Sequence, residues 1–250
     1  MNKIFLRLRL AFWYVKKGYF KQLFNLVIKN AKDNTREAST LWCKSISISE
    51  ENALKALNIP IKNISSEHPE LINYANLKQD ECPHKMGGPA SLKVLYSIIS
   101  AIQPKHSIET GVAYGWSTLA ILLGNMNNVE SKLWSIDMPY PFLGNASFVG
   151  CVVHPSFKDT WRLIRKPDIK ALPIAIAESE TIDFCHYDSD KTYKGRMRSY
   201  GLLWKQLNVG GCFMSDDIND NIAFKDFCEQ IGKTPIVFKT KNKFAGILIK

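Results

Sequence analysis

Apolar residues recur at steps of three and four in the first third of the chain and gather into short unbroken runs afterwards, so helices come first and buried strands later. Ile4, Leu8, Ala11, Val15, Tyr19, Leu23 and Val27 predict one or two amphipathic helices over residues 1–33, with Gly18 as a break. Ser49 and Glu50 precede an apolar repeat in SISEENALKAL, the signature of a capped helix, and Glu67–Asp80 suits another. KMGGP marks a loop, after which Ser91–Ile102 has helical spacing. Strands are expected at Ser107–Ile108, Lys132–Asp137, Trp161–Lys166, Ile182–Tyr187, Gly211–Ser215, Ile236–Phe238 and Ala245–Ile249. Between them, helices are expected from Trp116 onward, over Ala171–Ala177 and over Asn221–Ile231, and a loop at Asn208–Gly211. The short link Lys241-Asn242-Lys243 would close a hairpin.

Strands alternating with helices make this an α/β chain, and 250 residues suffice for one such domain and an appendage. Three segments are expected: a basic amphipathic arm at 1–36, a helical connector at 37–83 and the main domain at 84–250. The net charge of +10 is uneven: nine Lys or Arg against Asp33 give the first 36 residues +8, leaving the rest nearly neutral. The arm is also aromatic (Phe12, Trp13, Tyr14, Phe20, Phe24), and two readings stay open. Its apolar stripe docks on the main domain or on a second subunit, making a homodimer, or it lies on an anionic membrane. One basic helix without a recognisable module does not make a nucleic-acid reader, so no nucleic-acid partner is expected. Six cysteines without C-x-x-C or zinc spacing argue for free thiols in a reducing compartment, with Cys185 and Cys212 as strand fillers. Arg7 and Arg9 interrupt the first apolar stretch, and no run is long enough to span a bilayer. The expected location is the cytoplasm, with peripheral contact at the inner membrane face if the arm binds lipid.

The segment His106–Leu122, HSIETGVAYGWSTLAIL, joins a short strand, a turn at Glu109-Thr110-Gly111 and a helix. Such a turn brings bare backbone and a helix N-terminus against a ligand, and Gly111 and Gly115 lack the Cβ atoms that would block it. A ligand pocket at the C-terminal end of the first parallel strand follows. G-x-G-x-x-G would need glycine where Ala113 and Trp116 stand, which disfavours a dinucleotide-dependent oxidoreductase. The motif is E-x-G-x-x-x-G, and it resembles the first motif of the class I S-adenosylmethionine-dependent methyltransferases. Lys132–Asp137 ends in an acid 26 residues after Gly111, where a carboxylate suits the ribose hydroxyls of an adenosine-containing ligand. The aromatic, glycine-rich insert Pro139–Thr160 has the length of a substrate-covering loop.

IDFCHYDSDKTY (Ile182–Tyr193) delivers Asp188, Asp190 and Lys191 at the end of a buried strand, and the next strand ends in Asp216-Asp217. Carboxylates so close need a proton or a cation between them, and an oxygen-rich set without His or Cys selects a hard divalent ion such as Mg²⁺, Ca²⁺ or Mn²⁺. This pattern narrows the resemblance to metal-dependent O-methyltransferases of the catechol and caffeoyl-CoA type and to bacterial macrocin-type sugar O-methyltransferases, over residues 84–250. The resemblance implies a Rossmann-like sheet of seven strands, mostly parallel with an antiparallel last strand, helices on both faces, and a helical N-terminal extension outside it. It implies S-adenosylmethionine at Met86, Gly87, Gly88, Glu109, Gly111, Ala113, Tyr114, Gly115, Ser117, Asp137, Met138, Asp168 and Asp188, with Asp168 near the adenine. It further implies a divalent ion, Mg²⁺ first, on Asp188, Asp216 and Asp217, with Lys191 as base. The third ligand is Asp217 where catechol-type enzymes have Asn, and many sugar-acting relatives have His where Lys191 stands. An ion pair of Lys191 with Asp188 or Asp190 is the competing role for that residue. The expected reaction is methylation of a hydroxyl on a sugar or glycan intermediate. A small phenolic acceptor and a non-catalytic cofactor-binding protein are the alternatives.

Overall fold

A computed structural model describes residues 3–20, 31–88, 91–138, 144–241 and 243–250. Leu23, Phe24 and Val27 of the arm, Pro89, Tyr140 and Phe142 of the loops, and Asn242 of the hairpin link lie outside the described residues. Seven strands form one sheet: β1 (His106–Thr110), β2 (Lys132–Ile136), β3 (Trp161–Ile164), β4 (Ile182–Tyr187), β5 (Leu207–Ser215), β6 (Ile236–Lys239) and β7 (Phe244–Ile249). Their order is β3-β2-β1-β4-β5-β7-β6. The first five are parallel, and β7 runs antiparallel between β5 and β6. The expected Rossmann-like architecture is therefore present.

The arm forms α1 (Lys3–Lys16), and Gly18 beyond it has φ +69°. Ahead of the sheet, among the described residues, follow α2 (Arg36–Ile46), α3 (Glu50–Ala56), α4 (Ile64–Glu67) and α5 (Pro69–Asp80). Ser49 caps α3 by accepting the Asn52 N–H. Next come α6 (Leu92–Ile102), capped by Ser91, and α7 (Trp116–Gly124). The remaining helices are α8 (Asp168–Ser179), α9 (Tyr193–Gln206) and α10 (Ala223–Ile231). α8 is longer than the apolar run Ala171–Ala177 because it opens at Asp168, an acid well placed in a first turn, and it accommodates Pro173.

Alternation along the strands divides the core. Phe184, Cys212, Met214 and Ile247 face α6 and α7, and this face also takes Leu54 and Ala75 from the segment before the sheet. Ile108, Cys185, Phe213 and Leu248 face α8, α9 and α10. The loop expected at Asn208–Gly211 lies within β5 as a bulge: Ile182 pairs with Leu207 but Phe184 with Cys212, leaving the intervening residues of β5 unopposed. Register aligns Ser135, Glu109 and His186 across β2, β1 and β4, a polar row on an otherwise apolar face.

Candidate active site

Four strands end level. Ile136, Thr110, Tyr187 and Ser215 are register partners in turn, so Asp137, Gly111, Asp188 and Asp216 follow them along one edge of the sheet. β1 and β4 are neighbours whose chains leave in opposite directions across the sheet, the switch point at which such folds bind ligands. A cleft of about 910 Å³ opens there.

The glycine turn is built by local necessity. Gly111 has φ +84°, its N–H donates to Ile136 O at 2.8 Å, and a Cβ would collide with the Asp188 carbonyl. The Val112 and Ala113 N–H groups donate to Asp137 Oδ2 at 3.0 and 3.1 Å, which leaves Oδ1 toward the cleft, 3.8 Å from Arg165 Nη2. Burial raises the Asp137 carboxyl, and the two amides and Arg165 oppose the rise. Ser189 Oγ donates to Asp168 Oδ2, and burial raises that carboxyl to about 6. Ala113 and Asp217, with φ +49° and +52°, are non-glycine residues in the left-handed region, and both line the cleft. Such strain persists only where surroundings impose it. The Ala113 carbonyl accepts the Gly150 N–H, and the Asp217 carbonyl accepts from Arg196 Nη2 at 2.9 Å.

Of the residues singled out in the sequence, Gly87, Gly88, Gly111, Ala113, Ser117, Asp137, Met138, Asp168, Asp188, Lys191, Asp216 and Asp217 line this cleft. Met86, Glu109, Tyr114 and Gly115 do not. The Tyr114 hydroxyl donates to His84 O and accepts the Met86 N–H, so these two residues tie the glycine-bearing loop at 84–88 to the turn. Gly115 packs against Gly150 of the insert. Glu109 is fully buried and accepts from Thr118 Oγ1 and Ser135 Oγ.

The acid cluster is compensated from within the chain. Lys191 Nζ pairs with Asp188 Oδ1 and lies 3.0 Å from Asp217 Oδ2, while Lys243 Nζ reaches the same Asp217 oxygen at 2.5 Å. His186 Nε2 stands 3.2 Å from Asp216 Oδ2 and its Nδ1 3.6 Å from Glu109 Oε1. Burial works against a charged His186 ring, but Asp216 and Glu109 outweigh it and raise the imidazole to about 10. Burial raises Asp188 to about 6 against the pull of Lys191, with Asp216 and Asp217 adding to the rise. For Asp217 burial is outweighed by Lys191 and Lys243, and the carboxyl is lowered. Burial disfavours the Lys191 ammonium, yet Asp188 and Asp217 leave its pKa raised. The three acids have the donor chemistry of a hard-cation site, but ammonium groups bridge Asp188 and Asp217 and imidazolium holds Asp216. Among the described residues no group of three His, Cys, Asp or Glu side chains is disposed to hold an ion. As arranged, these residues do not fit a metal.

Several site residues escaped the sequence. Tyr14 of α1 is buried in the cleft wall, its hydroxyl 3.6 Å from Met138 Sδ, and Asp33 and Asn34 line the same cleft. Arg196, fully buried, also donates to the Asp216 carbonyl and to the Tyr200 hydroxyl, fixing the turn after β5. His186 left one signal, an ionisable residue inside a run read as a buried strand. Lys243 and Arg196 left none.

Residues 108–218 match a family model described as a methyltransferase domain. Curated proteins give no match to this sequence. Among solved structures, cofactor-bound Rv0187 from MTB is similar with a TM-score of 0.56 and 16% identity, over 75% of this chain and 92% of that one. The O-methyltransferase from Bacillus cereus in complex with SAH is similar with a TM-score of 0.54 and 14% identity, over 83% of this chain and 100% of that one. TomG, an O-methyltransferase from Streptomyces achromogenes in complex with SAM, gives 0.53 and 13%, over 83% and 98%. At such identities the likeness is one of fold. The sheet order and the acid-edged cleft at its switch point give this chain the fold of those solved structures, and residues 108–218 within it are similar to the methyltransferase-domain model.

Proposed function

We propose that the protein transfers a methyl group from S-adenosylmethionine to a hydroxyl of a sugar or glycan intermediate. The observation that carries this reading is the alignment of Gly111, Asp137, Asp188 and Asp216 behind four level strand ends around one cleft. Similar folds that hold SAH or SAM support it. Gly87, Gly88, Gly111 and Ser117 would bound the amino-acid half of the donor, Asp137 Oδ1 would accept from the ribose, and Asp168 would lie toward the adenine. When bound, S-adenosylmethionine supplies an electrophilic sulfonium methyl group, leaving as S-adenosylhomocysteine. The acceptor side, with Asp33, Asn34, Asp188, Thr192 and Arg198, offers the mixed donors and acceptors that a hydroxyl-rich molecule needs. In this reading Asp188, raised to about 6, would take the acceptor proton at neutral pH. Lys191, paired with two carboxylates, keeps its own proton and holds them in position.

The charge that a divalent ion would supply is carried here by Lys191 and Lys243, so the reading needs no metal. Calorimetry with S-adenosylhomocysteine and with NAD, then labelled methyl transfer to sugars, glycans and catechol with and without EDTA, tests all of this. S-adenosylhomocysteine should bind and NAD should not, label should enter a sugar hydroxyl, and EDTA should leave the rate unchanged. Label in catechol alone would move the acceptor to the phenols, and binding without transfer to any acceptor would leave a cofactor-binding protein. Loss of transfer in EDTA, restored by Mg²⁺, would mean that the acids release their lysines to an ion.

A further inference from the structure

The arm has two apolar faces, and the domain uses one. On α1, Tyr14 is 3% exposed, turned onto Met138, and packed edge-on with Trp13 and Tyr19; Leu10 and Ala11 beside it are half-buried. Leu8, Phe12 and Val15, at steps of four and three, share another face and are 64%, 70% and 42% exposed. Phe20, past the break at Gly18, is exposed as well. Arg9 and Lys16, seven residues apart, share a flank of that stripe. A helix that only docked on the domain would need a single stripe.

We propose that the Leu8, Phe12 and Val15 face seats the protein on an anionic lipid bilayer, with Tyr14 joining the seated helix to the wall of the cleft. An apolar stripe edged by basic residues matches the boundary between acyl chains and negative headgroups. Charge selects this occupant over a second copy of the chain. The first 36 residues carry +8, which an anionic surface attracts and a like-charged copy repels. The helix lies on the bilayer and does not cross it: among the described residues none is long and apolar enough to span. The proposal stands apart from methyl transfer, because it concerns a face that does not line the cleft.

Co-sedimentation of the full-length protein with vesicles of pure phosphatidylcholine, or of equimolar phosphatidylcholine and phosphatidylglycerol, is the test. The protein should pellet with the anionic vesicles alone and be released as salt rises. Phe12→Glu and Lys16→Glu should each weaken that binding about tenfold. Both should leave the melting temperature and S-adenosylhomocysteine binding unchanged, since the side chains point to solvent. Equal pelleting with neutral vesicles, no pelleting, or undiminished binding by Phe12→Glu would overturn the proposal. So would light scattering that shows a dimer which Phe12→Glu splits into monomers.

Discussion

Lys191 is where charge and chemistry meet. Its ammonium bridges Asp188 and Asp217, and Asp217 takes a second ammonium from Lys243. A lysine serving as base must lose its proton, whereas one serving as a fixed charge must keep it. Arginine separates the two roles, because it carries the charge and does not deprotonate. Lys191→Arg should retain transfer within about tenfold, while Lys191→Met should lower kcat about a hundredfold with little change in cofactor affinity. Steady-state kinetics of the two variants checks this, and an inactive Lys191→Arg beside intact binding would restore lysine as the base.

Among the elements, the turn from β1 into α7 carries the tightest constraint. Gly111 must be glycine for two independent reasons, its φ of +84° and the Asp188 carbonyl that lies where a Cβ would stand. The second reason ties the turn to the end of β4, so the donor side and the acid cluster share one joint. Gly111→Ala should lower unfolding free energy by more than about 1 kcal/mol and abolish S-adenosylhomocysteine binding, read by urea denaturation and calorimetry. The turn was legible in the sequence because strand, glycine and helix are contiguous. The same holds for the Ser49 and Ser91 caps and for the acids that end β2, β4 and β5, each set by the few residues around it. The reach of α8 and the extent of β5 were less legible, since the apolar run marks only Ala171–Ala177 of a helix that opens at Asp168, and Gly210-Gly211 read as a loop that strand pairing carries through.

Across the whole molecule, a polar row runs through the core. Glu109, His186 and Asp216 stand together between the sheet and α7, fully or almost fully buried. Removing one member of such a set leaves buried charge without a partner. His186→Ala should cost about 3–5 kcal/mol in urea denaturation at neutral pH. The sign of its pH dependence follows from the raised imidazole. The stabilisation is complete below the ordinary histidine value of 6.5 and is lost as pH rises through about 10, so the gap between wild type and variant should close over that interval. A gap that stayed constant to pH 10 would mean that the buried ring is neutral.

By itself the sequence determined the alternation of strands and helices, the glycine turn and the acids at strand ends, because each depends on spacing within one or two turns of chain. Only the tertiary structure decided which partners those acids have. His186 reaches Glu109 and Asp216 through strand register, Lys243 reaches Asp217 because β7 inserts beside β5, and Tyr14 reaches Met138 across more than a hundred residues. A lone lysine, histidine or tyrosine carries no mark of a neighbour so distant in sequence, and its charge acquires meaning only when folding sets the distance and removes the water between them.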